Sequence, residues 1–135
     1  MEQSISQRFQ TLMLRFHQLG GELPPLDKYG ITPAQVVYLD YVANHPRTRL
    51  GDLAEALQYK PASVSTMVTT LENKGLLRKD QEQEDGRALS LNLTDKGCHV
   101  VTEITYYRNK RISTILEKLG QDEKESLLRL LEKTL

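Results

Sequence analysis

Between Lys60 and Thr69 the chain sets Pro61, Ala62, Ser63, Ser65, Thr66 and Thr69 among the apolar residues Val64, Met67 and Val68. At helical spacing those apolar residues, with Leu71, share one side, and the small and hydroxylated residues face outward. Such a surface suits duplex DNA. Short hydroxyl side chains let a helix sit deep in a major groove and hydrogen-bond to phosphates and base edges. The free N–H groups at the start of the helix, where Pro61 stands, point at phosphate. A second candidate is the tip Asp85-Gly86-Arg87, which ends a polar segment. One arginine on a flexible tip suits the minor groove, where negative potential is focused. Further cations available for phosphate are Arg47, Arg49, Lys60, Lys74, Arg78 and Lys79. They are mixed with Asp52, Glu55, Glu72, Asp80, Glu82, Glu84 and Asp85. Lys and Arg number 18 and so do Asp and Glu, so any positive surface must come from selective facing.

Other chemistries find little support. The single cysteine, Cys98, excludes an intrachain disulfide framework and fits a reducing cytoplasm. It is expected to be a small buried helix residue rather than a redox switch. His17, His45 and His99 are scattered, and the side chains of Cys98 and His99 diverge on a helix, so no metal site is expected. There is no phosphate-binding glycine loop, no nucleophile elbow and no carboxylate pair spaced with a histidine, so neither an enzyme nor a cofactor is expected. Phe16, His17, Tyr38 and Tyr41 are candidates for a small-molecule pocket, and equally for ordinary core. The first ten residues lack the apolar stretch of a signal peptide. No segment approaches the roughly 20 apolar residues of a membrane span.

The elements that must position these residues follow from periodicity and punctuation. Ile5, Phe9, Leu12, Phe16 and Leu19 form one stripe of an amphipathic helix, stopped by Gly20-Gly21 and Pro24-Pro25. Thr32-Pro33-Ala34-Gln35 opens a second helix with an N-cap, a proline at the first turn and a capping box, and His45-Pro46 ends it. Leu50, Leu53, Ala54 and Leu57 mark a short helix. Gln58-Tyr59-Lys60 is a tight connection to the helix of the opening candidate, which Lys74-Gly75 closes. The period then changes. Residues 76–79 are a strand candidate, Asp80–Gly86 is polar and turn-like, and Leu89–Leu93 alternates strictly, so a hairpin is expected. Thr94 caps a long helix to about Lys118, and a last helix carries Leu127, Leu128, Leu130, Leu131 and Leu135. Helix, turn, helix, hairpin is the order of a winged helix. The fold expected is mostly α with a small β-hairpin, a winged helix-turn-helix flanked by long helices. Those first and last helices expose apolar stripes that a chain of 135 residues cannot bury alone, and a symmetric partner is the simplest remedy.

With these elements in place, Leu53–Leu57, Ser63–Arg78 and Asp85–Gly97 resemble the MarR family of bacterial and archaeal regulators. The combination of Leu-Glu-x-Lys-Gly-Leu, Asp-x-Arg and Leu-Thr-x-x-Gly is specific, and the similarity extends over nearly the whole chain. The resemblance implies one MarR-like domain over 1–135. Residues 31–94 would form the winged DNA-binding lobe, and 2–30 and 95–135 the dimerisation helices. It implies a cytoplasmic homodimer on a pseudo-palindromic operator, acting as a repressor that a small-molecule effector releases. DNA contacts would come from Lys60, Pro61, Ala62, Ser63, Ser65, Thr66, Thr69 and Arg87. A winged helix used only for protein contacts is the alternative. Two departures from the family pattern stand out. Its recognition helices often carry arginine where this chain has Thr66 or Thr70, and Gln58 replaces the turn glycine common in helix-turn-helix motifs.

Overall fold

Caps and breakers set the element order. The computed structural model describes residues 2–18, 24–82 and 88–135. Its elements are α1 (Ile5–Gln18), α2 (Leu26–Tyr29), α3 (Pro33–Asn44), β1 (Thr48–Arg49), α4 (Leu50–Leu57), α5 (Pro61–Asn73), β2 (Leu77–Gln81), β3 (Leu89–Leu93), α6 (Asp95–Leu116) and α7 (Gln121–Glu132). The expected class, mostly helical with a wing hairpin, is what forms. The chain divides into a lobe of residues 25–105 and a helical unit of residues 1–24 and 106–135, with α6 contributing to both.

In the lobe, Thr32 and Gln35 make the expected capping box. The Thr32 hydroxyl accepts from the Gln35 N–H at 3.2 Å, and the Gln35 side-chain oxygen accepts from the Thr32 N–H at 3.1 Å. Three helices end in the same hydrogen-bond pattern, with a left-handed residue just past the last turn. After α2 that residue is Gly30, after α4 it is Gln58 and after α5 it is Gly75. At Gly75 the N–H donates to Glu72 O and the next N–H, of Leu76, reaches back to Leu71 O, while Leu71 and Leu76 are both fully buried. This turn aims the chain directly into β2. The strands form an antiparallel sheet in the order β1-β3-β2.

Leu39, Val42, Leu53, Ala54, Val64, Val68, Leu71, Leu76, Leu91, Val100 and Ile104 are buried together, so one core joins α3, α4, α5, the sheet and the start of α6. Ala54 of α4 and Val64 of α5 are both buried in this core, one small and one compact. The start of α6 is clamped to the turn after α5. Thr94 Oγ1 donates to Gly75 O at 2.6 Å and accepts from the Gly97 N–H at 3.0 Å, while Lys96 Nζ donates to Lys74 O. Gly97 allows this closeness, because a Cβ there would lie 2.2 Å from Leu76 O.

Several expectations need correction. Asp80 and Gln81 belong to β2, not to the loop, because they pair with Ser90 and Leu89. β1 adds a third strand to the hairpin. The short α2 follows Pro25 directly. Cys98 is exposed rather than buried, since α6 turns Gly97, Val100 and Ile104 inward.

The helical unit is built differently. None of its described residues is buried. On α1, Ile5, Phe9, Leu12, Met13 and Leu14 are exposed, as are Leu128, Leu130 and Leu131 on α7. Arg111 Nη2 donates to Phe16 O at 3.1 Å and also to His17 O. No helix among the described residues is long and apolar enough to cross a membrane.

Candidate nucleic-acid interface

α5 divides sharply between two environments. Val64, Val68 and Leu71 enter the core, while Pro61, Ala62, Ser63, Ser65, Thr66 and Thr69 are exposed. The structure therefore brings these expected contact residues onto one surface, with exposed Lys60 as N-cap. Lys60 makes no side-chain cap hydrogen bond, and Pro61 fills the first helical position. The next N–H groups are thus left for an outside acceptor. Thr66 Oγ1 donates to Ala62 O at 3.1 Å, and Thr69 Oγ1 donates to Ser65 O at 3.0 Å. Each threonine spends its proton on the helix and turns its lone pairs and methyl group outward. Such side chains accept hydrogen bonds and touch thymine methyls.

The turn before α5 is tight. Gln58 has φ of 57°, its N–H donates to Glu55 O, and the Tyr59 N–H reaches back to Ala54 O at 3.0 Å. Gln58 thus takes the left-handed geometry usually given to glycine. Tyr59 stacks on Tyr38 with ring centroids 5.9 Å apart. Burial pushes the Tyr38 phenol above its usual value, and the nearby Tyr59 phenol adds to the shift.

The candidate ligand residues lie on two helices. Phe16 and His17 are exposed on α1 of the helical unit, and Tyr38 and Tyr41 belong to α3 of the lobe. Tyr38 packs on Tyr59 and Tyr41 packs on His45, so the two tyrosines have different ring partners. Among the described residues no group of three or more His, Cys, Asp or Glu side chains could hold a metal ion.

The cations expected to meet phosphate are mostly engaged within the protein. Lys74 Nζ donates to Gly30 O and to Gln35 Oε1. Lys79 pairs with Glu72 at 3.1 Å. Arg78 Nε donates to both carboxylate oxygens of Asp80, at 3.2 and 2.9 Å, and Arg78 Nη1 donates to Leu93 O. Arg47 Nη2 meets Glu82 Oε2 at 2.6 Å. Asn92 joins the two arginine sites: its Oδ1 accepts from the Arg47 N–H at 3.0 Å, and its Nδ2 donates to Asp80 Oδ2 at 2.7 Å. The hydrogen bond from Arg78 holds the Asp80 carboxyl below its usual range, with Asn92 adding to it. That from Arg47 does the same for Glu82. Arg49 is exposed beside this cluster. Arg87, with Asp85 and Gly86, lies outside the described residues.

The wing-root network escaped the sequence because Arg47 and Glu82 are 35 positions apart. The one available signal was the polar alternation Arg78, Asp80, Glu82 against Ser90 and Asn92, which marks one face of a hairpin.

Comparison with known proteins agrees with this geometry. The model of the MarR family matches residues 31–89. The HTH-type transcriptional repressor MdtR of Bacillus subtilis is 30% identical over 114 residues, spanning 84% of this chain and 74% of that protein. The crystal structure of Bacillus subtilis YusO superposes with a TM-score of 0.72 at 27% identity, covering 96% of this chain and 91% of YusO. Staphylococcus aureus MepR, solved in complex with DNA, superposes with a TM-score of 0.72 at 26% identity, covering 98% and 97% of the two chains.

Proposed function

The chain belongs to the MarR family, and from that premise we propose that it is a homodimeric transcription regulator that binds duplex DNA through its winged helix and acts as a ligand-responsive repressor. One observation carries the proposal: α5 gives its apolar side to the core and leaves a small, hydroxylated, uncapped N-terminal surface free. Lys60 and the helix start engage phosphate, and Ser63, Ser65, Thr66 and Thr69 meet base edges. Pro61 and Ala62 keep the approach close. Arg87 reaches the minor groove from the wing, as the resemblance implies. Two such lobes, one per protomer, read the two halves of a pseudo-palindromic site. Lacking arginine on α5, the chain relies on hydroxyl acceptors and methyl contacts rather than bidentate guanine contacts.

For the effector, Phe16, His17, Tyr38 and Tyr41 are the proposed contacts, supported by their aromatic character. An aromatic or phenolic ligand suits them best.

The test is titration of purified protein against the DNA upstream of its own gene at several salt concentrations. Binding is expected to weaken with salt in a linear log–log plot. Arg87→Ala should weaken it by about 1–3 kcal/mol. Thr66→Ala should change the preferred sequence more than the affinity for random duplex. Native and Arg87→Ala proteins that bind equally, with no salt dependence, would sink the proposal.

A further inference from the structure

Strand pairing sorts the sheet residues into two faces. Leu77 and Leu93, Lys79 and Leu91, and Gln81 and Leu89 are partners on one side, the side of the core. Arg78 and Asn92, Asp80 and Ser90, and Ser90 and Arg49 are partners on the other. Arg47 precedes β1, and Glu82 follows β2 on the flank that leads into the wing loop. Among the described residues, the outer face therefore gathers Arg47, Arg49 and Arg78 against Asp80 and Glu82. It forms a concave polar surface of about 560 Å³.

The pairing on this face is lopsided. The Arg47 side chain is 70% exposed, whereas the Glu82 side chain that meets it is 12% exposed. Arg49 adds to the positive field around Glu82, while the Ser90 hydroxyl donates to Asp80 O. The carboxylate is largely covered, and the guanidinium reaches from solvent to it. Arg47 is held in a left-handed backbone conformation, φ 64°, by its N–H bond to Asn92. A strained non-glycine residue marks a position whose side-chain placement matters. Exposed ion pairs of this kind contribute little to folding, so stability alone is a weak reason for the network.

A guanidinium binds carboxylate and phosphate with the same fork of N–H groups. We infer that Glu82 and Asp80 are affinity-setting residues for DNA. They occupy the guanidinium groups of Arg47 and Arg78 on the wing flank, where backbone phosphates would otherwise be bound. Binding at this flank exchanges an internal carboxylate for a phosphate, so each arginine adds less than a full phosphate contact. Sequence-independent affinity is thereby held down while the α5 surface is untouched, which widens the gap between operator and random DNA. This inference rests on the proposal that the chain binds duplex DNA.

The test measures binding to a random-sequence duplex over a range of salt for the native protein, Glu82→Gln, Arg47→Ala and the double variant. Glu82→Gln should tighten binding by about three- to ten-fold and steepen the log–log salt slope by about 0.9, the value for one added phosphate contact. The double variant should lose that gain. Asp80→Asn with Arg78→Ala forms a second cycle, linked to the first through Asn92, and should behave alike. If Glu82 only braced the wing, Glu82→Gln would weaken binding, and that result overturns the inference. A gain that persists without Arg47 is a general charge effect and overturns it too. If native protein and every variant fail to bind any duplex, the DNA-binding proposal itself falls, which is a distinguishable failure.

Discussion

The lobe of residues 25–105 and the helical unit of residues 1–24 and 106–135 solve the burial problem in opposite ways. The lobe closes its own core: Leu39, Leu53, Leu71, Leu76 and Leu91 lose all contact with solvent. The helical unit buries no described residue, although α1 and α7 are richly apolar. Phe9 is 55% exposed and Leu128 50%. The lobe is therefore complete as a single copy, and the helical unit is not. Apolar area of that extent on a regulator calls for a partner. From this difference we propose where assembly lives: recognition in the self-sufficient part, and dimerisation in the part that one chain leaves open.

The largest expected effect comes from breaking that division of labour. Phe9→Asp together with Leu128→Asp puts charge on both open stripes and should yield a monomer by sedimentation. Loss of the second lobe should then weaken operator binding by about 100-fold or more, since linked sites gain that much from effective concentration. The lobe should keep its fold, seen as an unchanged far-ultraviolet spectrum for its share of helix and strand. A variant that stays dimeric would show that the stripes pair in some other way. Gly97→Ala attacks the opposite side of the comparison. Its Cβ would meet the Leu76 carbonyl at 2.2 Å, so the start of α6 must lift from the turn at Gly75. We expect a loss of about 3 kcal/mol in denaturant unfolding, at the upper end for overpacking. Dimerisation through the helical unit should survive in the remaining folded protein.

What could be read in the sequence divides along the same line. The capping box at Thr32, the buried Ala54 and Val64, the glycine at 75 and the strand over Leu89–Leu93 are local signals, and each forms as expected, although burial along that strand does not alternate, since Leu89 is exposed and Ser90 buried. The family motif also placed Gly97 without giving its reason, which is the contact with the Leu76 carbonyl. Other features depend on distant residues. β1 is only two residues long and exists because Thr48 and Arg49 find Leu91 and Ser90. Asp80 and Gln81 are polar enough to pass for loop, and only their partners on β3 make them strand. Cys98 was misplaced because spacing gave the stripe of α6 without showing that Gly97 and Val100 flank it on the buried side. The Arg47–Glu82 pair has no local signal at all. Of the contact residues, the α5 surface was legible from helical period alone, whereas the engagement of Arg47, Arg78 and Lys79 by carboxylates required the fold.

A smaller effect sharpens the picture of the lobe as self-sufficient. Gln58 adopts a left-handed conformation, which costs a side-chain-bearing residue roughly 1–2 kcal/mol. Glycine removes that cost but adds about 0.5–1 kcal/mol of chain entropy to the unfolded state. Gln58→Gly should therefore stabilise the protein by a net of up to about 1.5 kcal/mol, read as a rise in the denaturant midpoint with an unchanged slope. Ala54 and Tyr59 already fix the turn through their hydrogen bond, so operator affinity should stay the same. Destabilisation would mean that the Gln58 side chain makes a contribution beyond its backbone geometry.

The smallest effect concerns the polar outer face of the sheet, and its sign follows from the carboxylates there. Asp80 and Glu82 are both held below their ordinary range, by Arg78 and by Arg47 respectively. A carboxyl with a lowered folded pKa adds stability that is fully present above its unfolded value, roughly 4, and is lost as pH falls through the folded value. Thermal midpoints should thus be flat near neutrality on this account and fall slightly below about pH 4. Both pairs are exposed on the arginine side, so salt should blunt the effect. In Arg47→Ala with Arg78→Ala the acid-side fall should become shallower, because the two carboxyls then titrate nearer their unfolded values. An equally steep fall in that double variant would place the acid sensitivity elsewhere in the molecule. It would also mean that the wing-root pairs, unlike the core beneath them, take no part in holding the lobe together.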